Sequence, residues 1–349
     1  MITEYIEIDR NQIEIAAIKR AGDIIKQGGL VAFPTETVYG LGGDGLNKES
    51  SKKIYAAKGR PSDNPLIIHI AEFEDLSKIV SYIPNSAKVL ANHFWPGPLT
   101  MIFKKSEIVP YETTGGLETV AVRFPSDPVA LEFIRAAGGY VAAPSANTSG
   151  RPSPTSGRYV LEDMNGKIDM ILDGGSCDIG LESTIVDLTE DIPVILRPGY
   201  ITEAMLSTVL GRVEMDQTIL DISSTMAPKA PGMKYRHYAP KGDLTIIKGE
   251  QEKVIAFVNH KTIEHVNAGA RVGVIATDET KDSYQAEIVK SVGKRNDAPS
   301  IARRLYEILR EFDDEEVDVI FAESFENSDM GIAIMNRLLK AAGHKVFEV

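Results

Sequence analysis

The stretch "KGRPSDNP" sets Lys58 and Arg60 two residues apart and follows them with Pro61, Asn64 and Pro65. Two residues without an N–H rule out a helix interior or a central strand. The run is an ordered loop at a helix end, a place where chains often keep functional cations. Its plain alternative is a solvated helix C-terminus, where Lys and Arg favour the last carbonyls. Other polar groups recur at the ends of apolar runs. "FPTETVYG" offers Thr35, Glu36 and Thr37, and "LIIH" ends at His69. "ETVAVRFP" sets Thr119 and Arg123 four apart, hence on one face of a strand. "APSANTSGRPSPTS" offers Ser145, Asn147, Thr148, Ser149, Arg151 and Ser153; "GLESTIVDL" offers Glu182, Ser183 and Thr184; "ILRPG" offers Arg197.

Singly these have dull explanations: turn chemistry for the serines and asparagine, a helix cap for Thr155, a surface ion pair for Arg197. Arg123 is harder to dismiss, because an arginine buried in an apolar strand demands an anionic partner. Together they supply cations for phosphates, an arginine for a carboxylate, and hydroxyls and an amide to fix polar groups. No nucleophile–base pair stands out. That equipment suits chemistry done by position and charge stabilisation, as in phosphoryl transfer.

Other chemistries are disfavoured. "GLGGDG" (Gly40 to Gly45) satisfies G-x-G-x-x-G, but a polar "TETVY" separates it from the preceding strand. No acidic residue closes a second strand about 20 residues on, so an NAD-linked oxidoreductase is a poor reading. A close approach of this backbone to some ligand is still expected. There is no G-x-x-x-x-G-K-[ST] and no G-x-S-x-G elbow. The six histidines are scattered, and Cys177 is the sole cysteine, so neither a histidine metal site nor a cysteine cluster is expected. The formal charge of −12 disfavours a protein that grips a polyanion and favours a small anionic ligand in a local positive pocket. One cysteine, no basic-apolar leader and no apolar run near 20 residues fit a reducing, cytoplasmic setting.

These residues must be held by a framework, and two patterns supply it. Residues 1–210 mix short apolar strands with amphipathic helices without a strict βαβ rhythm, which predicts a mixed twisted sheet. Helices are expected in "IEIAAIKRAGDIIKQGG", stopped by Gly28 and Gly29, and in "NKESSKKIYAAK". Residues 211–241 carry clustered prolines, tyrosines and basic residues with no apolar period, and read as a linker. Residues 242–349 alternate strand and helix regularly, which predicts a smaller Rossmann-like α/β domain.

In order along the chain, "FPTETVYGLG", "KGRPSDNPL", "WPGPLT", "VAVRFP", "APSANTSGRPSPT", "ESTIVD" and "LRPG" resemble the threonylcarbamoyl-AMP synthases, whose catalytic domain is YrdC-like. "KGR" and "SAN" correspond to that family's K-x-R and S-x-N signature, and "APGMKYRHYAP" with the C-terminal unit resembles its two-domain form. Gly43 stands where the family often has alanine. The resemblance is specific in the first two-thirds and loose beyond about Lys241. It implies a nucleotidyltransferase that joins L-threonine, bicarbonate and ATP into threonylcarbamoyl-AMP, with release of pyrophosphate. The product then passes to the machinery that builds N6-threonylcarbamoyladenosine in tRNA.

The resemblance also implies roles. Lys58, Arg60, Ser145 and Asn147 are the expected catalytic set, with Lys58 and Arg60 on the phosphates. Asn64, Thr119, Ser153, Arg197 and Tyr235 would complete the ATP site. Thr35, His69, Arg123 and Ser183 would hold L-threonine, Arg123 forking its carboxylate. Mg²⁺ is expected on the ATP phosphates, held through water and substrate oxygens and not by protein ligands. "PGMKYRHYAP" would close as a lid, with a passive tether as its alternative. Two rivals are an RNA-binding module, which the acidic balance opposes, and another carbamoyl-adenylate enzyme with added zinc-binding segments, which a single cysteine opposes.

Overall fold

The computed structural model describes residues 2–216, 219, 237–325 and 329–349. Two compact units divide the chain: Met1–Ser149, Ser153–Asp178 and Glu182–Lys234 form the first, and Gly150–Pro152, Ile179–Leu181 and Tyr235–Val349 the second. The linker and lid expected at 211–241, with Tyr235, lie for the most part outside the described residues. Among the described residues no helix is long and apolar enough to cross a membrane.

The first unit opens with β1 (Glu4–Glu7), α1 (Ile15–Lys26), β2 (Val31–Phe33), β3 (Gly40–Asp44), α2 (Lys48–Lys58) and β4 (Ile67–His69). It continues through α3 (Leu76–Ile79), α4 (Asn85–Phe94), β5 (Leu99–Lys104), α5 (Tyr111–Thr114), β6 (Thr119–Arg123), α6 (Pro128–Ala136) and β7 (Val141–Ala143). It ends with α7 (Gly157–Met164), β8 (Met170–Asp173), β9 (Thr184–Asp187), β10 (Val194–Arg197), α8 (Glu203–Leu210) and β11 (Glu214–Met215). The strands form one mixed sheet in the order β1-β8-β2-β3-β7-β4-β6-β5-β9-β10-β11.

Local chemistry sets the ends of the helices that matter. The Asn47 side chain accepts the Glu49 N–H at 2.9 Å and starts α2. Gly59, at φ 63°, stops it in the left-handed conformation that glycine takes freely. Asp127 accepts the N–H groups of Val129 and Ala130 and starts α6, with Pro128 in the first turn. Ala17, Ile18, Ala21 and Ile25 of α1 pack with Val129, Phe133 and Ile134 of α6 over Val31, Phe33, Met170 and Leu172 of the sheet. Leu90 and Ala91 of α4 join Met101, Phe103, Val120 and Val122 in a second cluster. Each of the Val, Leu, Ile, Phe and Met side chains among them contributes about 1.5–3 kcal/mol when fully buried.

The segment Gly40–Asp44 is a strand and not a ligand loop. It runs antiparallel to β2, with Val31 opposite Gly42 and Phe33 opposite Gly40. A Cβ at Gly40 would lie 2.9 Å from the Phe33 ring, and one at Gly42 would lie 2.8 Å from Val141. What approaches these glycines is the protein's own packing, which corrects the expectation of a ligand there.

The second unit contains β12 (Asp243–Lys248), α9 (Gln251–Asn267), β13 (Val272–Ala276), β14 (Ile288–Ser291), α10 (Ala298–Asp314), β15 (Val319–Glu323), α11 (Asp329–Ala341) and β16 (Val346–Glu348). Its sheet is parallel throughout, in the order β14-β13-β15-β12-β16. Within this unit the buried Arg310 donates to the Pro152 carbonyl, and Arg151 pairs with Asp313 at 3.3 Å. Arg151 is thereby tied into this unit's own packing.

The contact of α1 with α6 depends on the missing side chain at Gly22. A Cβ there would lie 2.5 Å from the Ala136 carbonyl carbon and oxygen. Gly22→Ala gains helix propensity of up to about 1 kcal/mol but overpacks at a cost of about 1–3 kcal/mol. The expected outcome is a net loss of stability. The check is the urea midpoint followed by Trp95, the sole tryptophan and buried in the first unit.

Candidate functional site

The Lys58 side chain leaves the last turn of α2 and turns inward; only 2% of the residue is exposed. Its ammonium donates to the carbonyls of Ser145 and Asn147, both at 2.5 Å, and lies 3.4 Å from Asn147 Oδ1. Ser145 Oγ donates to Asn147 Oδ1 at 2.5 Å, and Asn147 Nδ2 donates to the Thr148 carbonyl at 2.9 Å. Ser145 also bridges to Gly40, and Ser149 N–H returns to the Lys58 carbonyl at 2.9 Å. Arg60 donates through Nε to the Asn64 carbonyl at 3.4 Å and through Nη2 to the Pro65 carbonyl at 3.2 Å. The solvated-terminus reading of this loop therefore fails: both cations are buried against oxygens. Asn64 is buried as well, and its Oδ1 has no hydrogen-bond partner among the described residues.

Strand register sets a second group. Ile67 pairs with Ala121 and His69 with Arg123 between β4 and β6, while Thr100 of β5 pairs with Arg123 and Lys104 with Thr119. Alternation then puts Thr119, Ala121 and Arg123 on one face with Ile67, His69, Thr100 and Ile102. The middle of that face is a small apolar floor of Ile67, Ile102, Ala121, Ile185 and Leu196. Thr119 and Arg123 stand at its two ends, about 13 Å apart along the strand. At the Thr119 end the chain leads back to Pro65 and so to Arg60. Thr119 lines a groove of about 560 Å³ there with Lys104, Lys105 and Asp187.

The Arg123 end is densely polar and buried. Arg123 Nη1 donates to Thr37 Oγ1 at 2.8 Å, and Nη2 lies 2.8 Å from Glu36 Oε1. The His69 ring shares Nδ1 with the Ile67 carbonyl at 3.1 Å and meets Phe33 edge-on. Burial, with the Arg123 cation beside it, pushes the His69 pKa down to about 3, so the ring is neutral. Ser183 Oγ lies 2.7 Å from Thr100 Oγ1, and Arg197 reaches Ser183 through both Nη2 (3.1 Å, to Oγ) and Nε (3.0 Å, to the carbonyl). Ser153 donates to Glu182 at 2.6 Å. Thr35 spends its hydroxyl locally: it donates to the Val38 carbonyl at 2.7 Å and accepts the N–H groups of Thr37 and Val38. It shapes the turn that carries Glu36 and Thr37. Cys177 is buried beside this turn, and burial pushes its thiol up, away from nucleophile chemistry.

Lys58, Ser145 and Asn147 thus meet, while Arg60, two residues on, bonds to carbonyls of its own loop. His69, Arg123, Ser183 and Arg197 form a second group joined through Thr100. Thr119 and Ser153 touch neither group by a hydrogen bond among the described residues, and Tyr235 is outside them. Glu36, Thr37 and Thr100 receive no role from the sequence. The signal that could have found Glu36 is an acidic residue closing an apolar strand in a chain that also buries an arginine.

Fold and site define a two-unit α/β protein whose first sheet has buried cations in the loop that leads into β4 and at the end of β6. The family described as telomere recombination, which groups Sua5, YciO and YrdC, matches residues 23–199, and the family described as threonylcarbamoyl-AMP synthase, C-terminal domain, matches residues 201–343. The chain belongs to the threonylcarbamoyl-AMP synthase family. Threonylcarbamoyl-AMP synthase of Pyrococcus abyssi is 47% identical over 340 residues, covering 97% of this chain and 98% of its own. That of Bacillus subtilis is 47% identical over 341 residues, covering 97% and 96%. The crystal structure of P. abyssi Sua5 complexed with L-threonine aligns at a TM-score of 0.94 and 46% identity, covering 99% of this chain and 100% of that one.

The neutral His69 has a consequence for stability. Its folded pKa lies below the unfolded value, so between about pH 6.5 and pH 3 the unfolded chain binds a proton that the folded chain does not. Stability from this ring is full above pH 6.5 and drains away as pH falls. Urea unfolding at pH 6 and pH 5 should show wild type losing about 1.4 kcal/mol per unit more than His69→Gln. Equal losses would show that the ring is not held neutral.

Proposed function

We propose that this chain condenses L-threonine, bicarbonate and ATP into L-threonylcarbamoyl-AMP and releases pyrophosphate, the first step of N6-threonylcarbamoyladenosine formation in tRNA. The observation that carries the reading is the register of β4 and β6. It sets the Arg60 side of the sheet and the Arg123 side at opposite ends of one face, with an apolar floor between. An anion at each end is what a triphosphate and an amino acid require. The relatives named threonylcarbamoyl-AMP synthase, and the relative crystallised with L-threonine, support the same assignment.

At one end Lys58 and Arg60 face the phosphates. Their bonds to backbone carbonyls hold the loops around Ser145 and Asn64 in place, so the charge is already positioned when the nucleotide arrives. Asn64, Thr119 and Ser153 complete the nucleotide side, and Arg197 would reach the nucleotide from the other group, beside Ser183. At the other end Arg123 takes the threonine carboxylate, with His69 and Ser183 as polar neighbours. His69 does so as a neutral ring, adding no second cation beside Arg123. Mg²⁺ would ride mainly on phosphate oxygens and water, with Lys58 held beside it by the carbonyls of Ser145 and Asn147. When bound, the ion shields phosphate charge. The threonine amine, once deprotonated, bonds to the bicarbonate carbon as a C–O bond breaks and water leaves; an oxygen of the resulting carbamate then attacks the α-phosphorus as the bond to pyrophosphate breaks. The buried floor keeps water from both labile species.

Pyrophosphate release with ATP, bicarbonate and single amino acids tests the assignment. A signal that needs both bicarbonate and L-threonine is expected. Lys58→Ala or Arg60→Ala should cut turnover by about 10²–10³. Full turnover in both variants would remove these residues from the site.

A further inference from the structure

The Arg123–Glu36 contact leaves its members unsatisfied. Both side chains are more than nine-tenths buried, with Nη2 2.8 Å from Oε1. Yet among the described residues Nε and Nη2 of Arg123 and both carboxylate oxygens of Glu36 lack an aligned hydrogen bond. The pair is close in distance and poor in angle. Buried ions offset the loss of water only with good geometry and further hydrogen bonds. Arg123 spends Nη1 on Thr37. What is left is the Nε–Nη2 edge, whose two N–H groups can meet a carboxylate in parallel bonds.

The surrounding groups do not supply what is missing. Arg10 turns to Asp127 at 3.1 Å and to the Ser176 carbonyl at 3.0 Å. Asp127 accepts the first N–H groups of α6. Burial holds the Cys177 thiol protonated and the His69 ring neutral. A cationic edge and a whole carboxylate therefore lie side by side, each with capacity to bond outward.

We propose that Glu36 is the receptor for the α-ammonium of the amino-acid substrate. This deepens the proposed function and rests on Arg123 holding the substrate carboxylate. An α-amino acid carries its two charges on adjacent carbons. A carboxylate forked on the Nε–Nη2 edge brings the ammonium to the carboxylate that already lies at Nη2. One poorly aligned pair is exchanged for two charge-assisted ones. An acid without the amine would set its negative charge against Glu36 with nothing between, so the same residue that recruits the zwitterion rejects simple carboxylates.

Calorimetric titration of the full chain with L-threonine and with 3-hydroxybutanoate, which lacks the amine, tests this; competition against L-threonine extends the range to weak binding. Wild type should prefer L-threonine by roughly 10–100-fold, the range of a hydrogen bond to a charged group. Glu36→Gln should compress that preference to within about twofold, and Glu36→Asp should restore part of it. Arg123→Gln should lose both acids. Thermal unfolding of each variant reports folding separately. If Glu36→Gln weakened both ligands equally, or kept the full preference, Glu36 would be a counter-ion only and the proposal would fall while the Arg123 assignment stood. If Arg123→Gln kept both acids, the carboxylate assignment would fall and take the proposal with it.

Discussion

The first unit depends on an ammonium taken out of water. Lys58 ends a helix whose own carbonyls it could have served, and instead serves the loop after β7. Desolvating the group costs several kcal/mol. Three oxygens of Ser145 and Asn147 within reach are what make its position tenable. That requirement propagates outward. Gly59 must take positive φ so that the chain turns directly into Arg60. The Ser145 backbone must lie against Gly40, and Ser149 must return to the Lys58 carbonyl. The signature segments are far apart in sequence because they are the two halves of one electrostatic clamp.

The same sheet solves two problems with its two faces. On one face Met101, Phe103, Val120 and Val122 pack under α4. The alternate residues of the same strands, Thr100, Ile102, Thr119, Ala121 and Arg123, form the opposite face. A strand of five residues thereby carries a core on one side and Thr119 and Arg123 on the other. A slip of one residue would bury Arg123 under the helix and raise Val122 to the ligand side, so fold stability and site geometry are enforced by the same hydrogen-bond ladder.

Much of this was legible beforehand, for identifiable reasons. The long periodic segments around α1, α2 and α10 announce themselves through helical spacing and caps, and the second unit through its alternation. The spacing of Thr119 and Arg123 foretold their shared face. β1 went unread because its residues, Glu4 to Glu7, alternate weakly and gain their order from pairing with β8. The helix Glu203–Leu210, capped by Thr202, is short and buries little. Gly40–Asp44 misled because a glycine motif reads alike whether a ligand or a phenyl ring approaches it. Glu36 was visible as a residue but not as a partner of Arg123, since 87 positions separate them and only the fold closes that distance.

Gly40 joins the packing of the sheet to the chemistry of the ligand face. The Phe33 ring fills the room left by the absent side chain, and that ring's edge-on neighbour, with centroids 5.9 Å apart, is His69. A methyl at position 40 would press on the phenyl ring and, through it, on the imidazole. The surroundings of His69 are thus adjustable from behind: variation among small residues in the neighbouring strand can shift the imidazole through the phenyl ring alone.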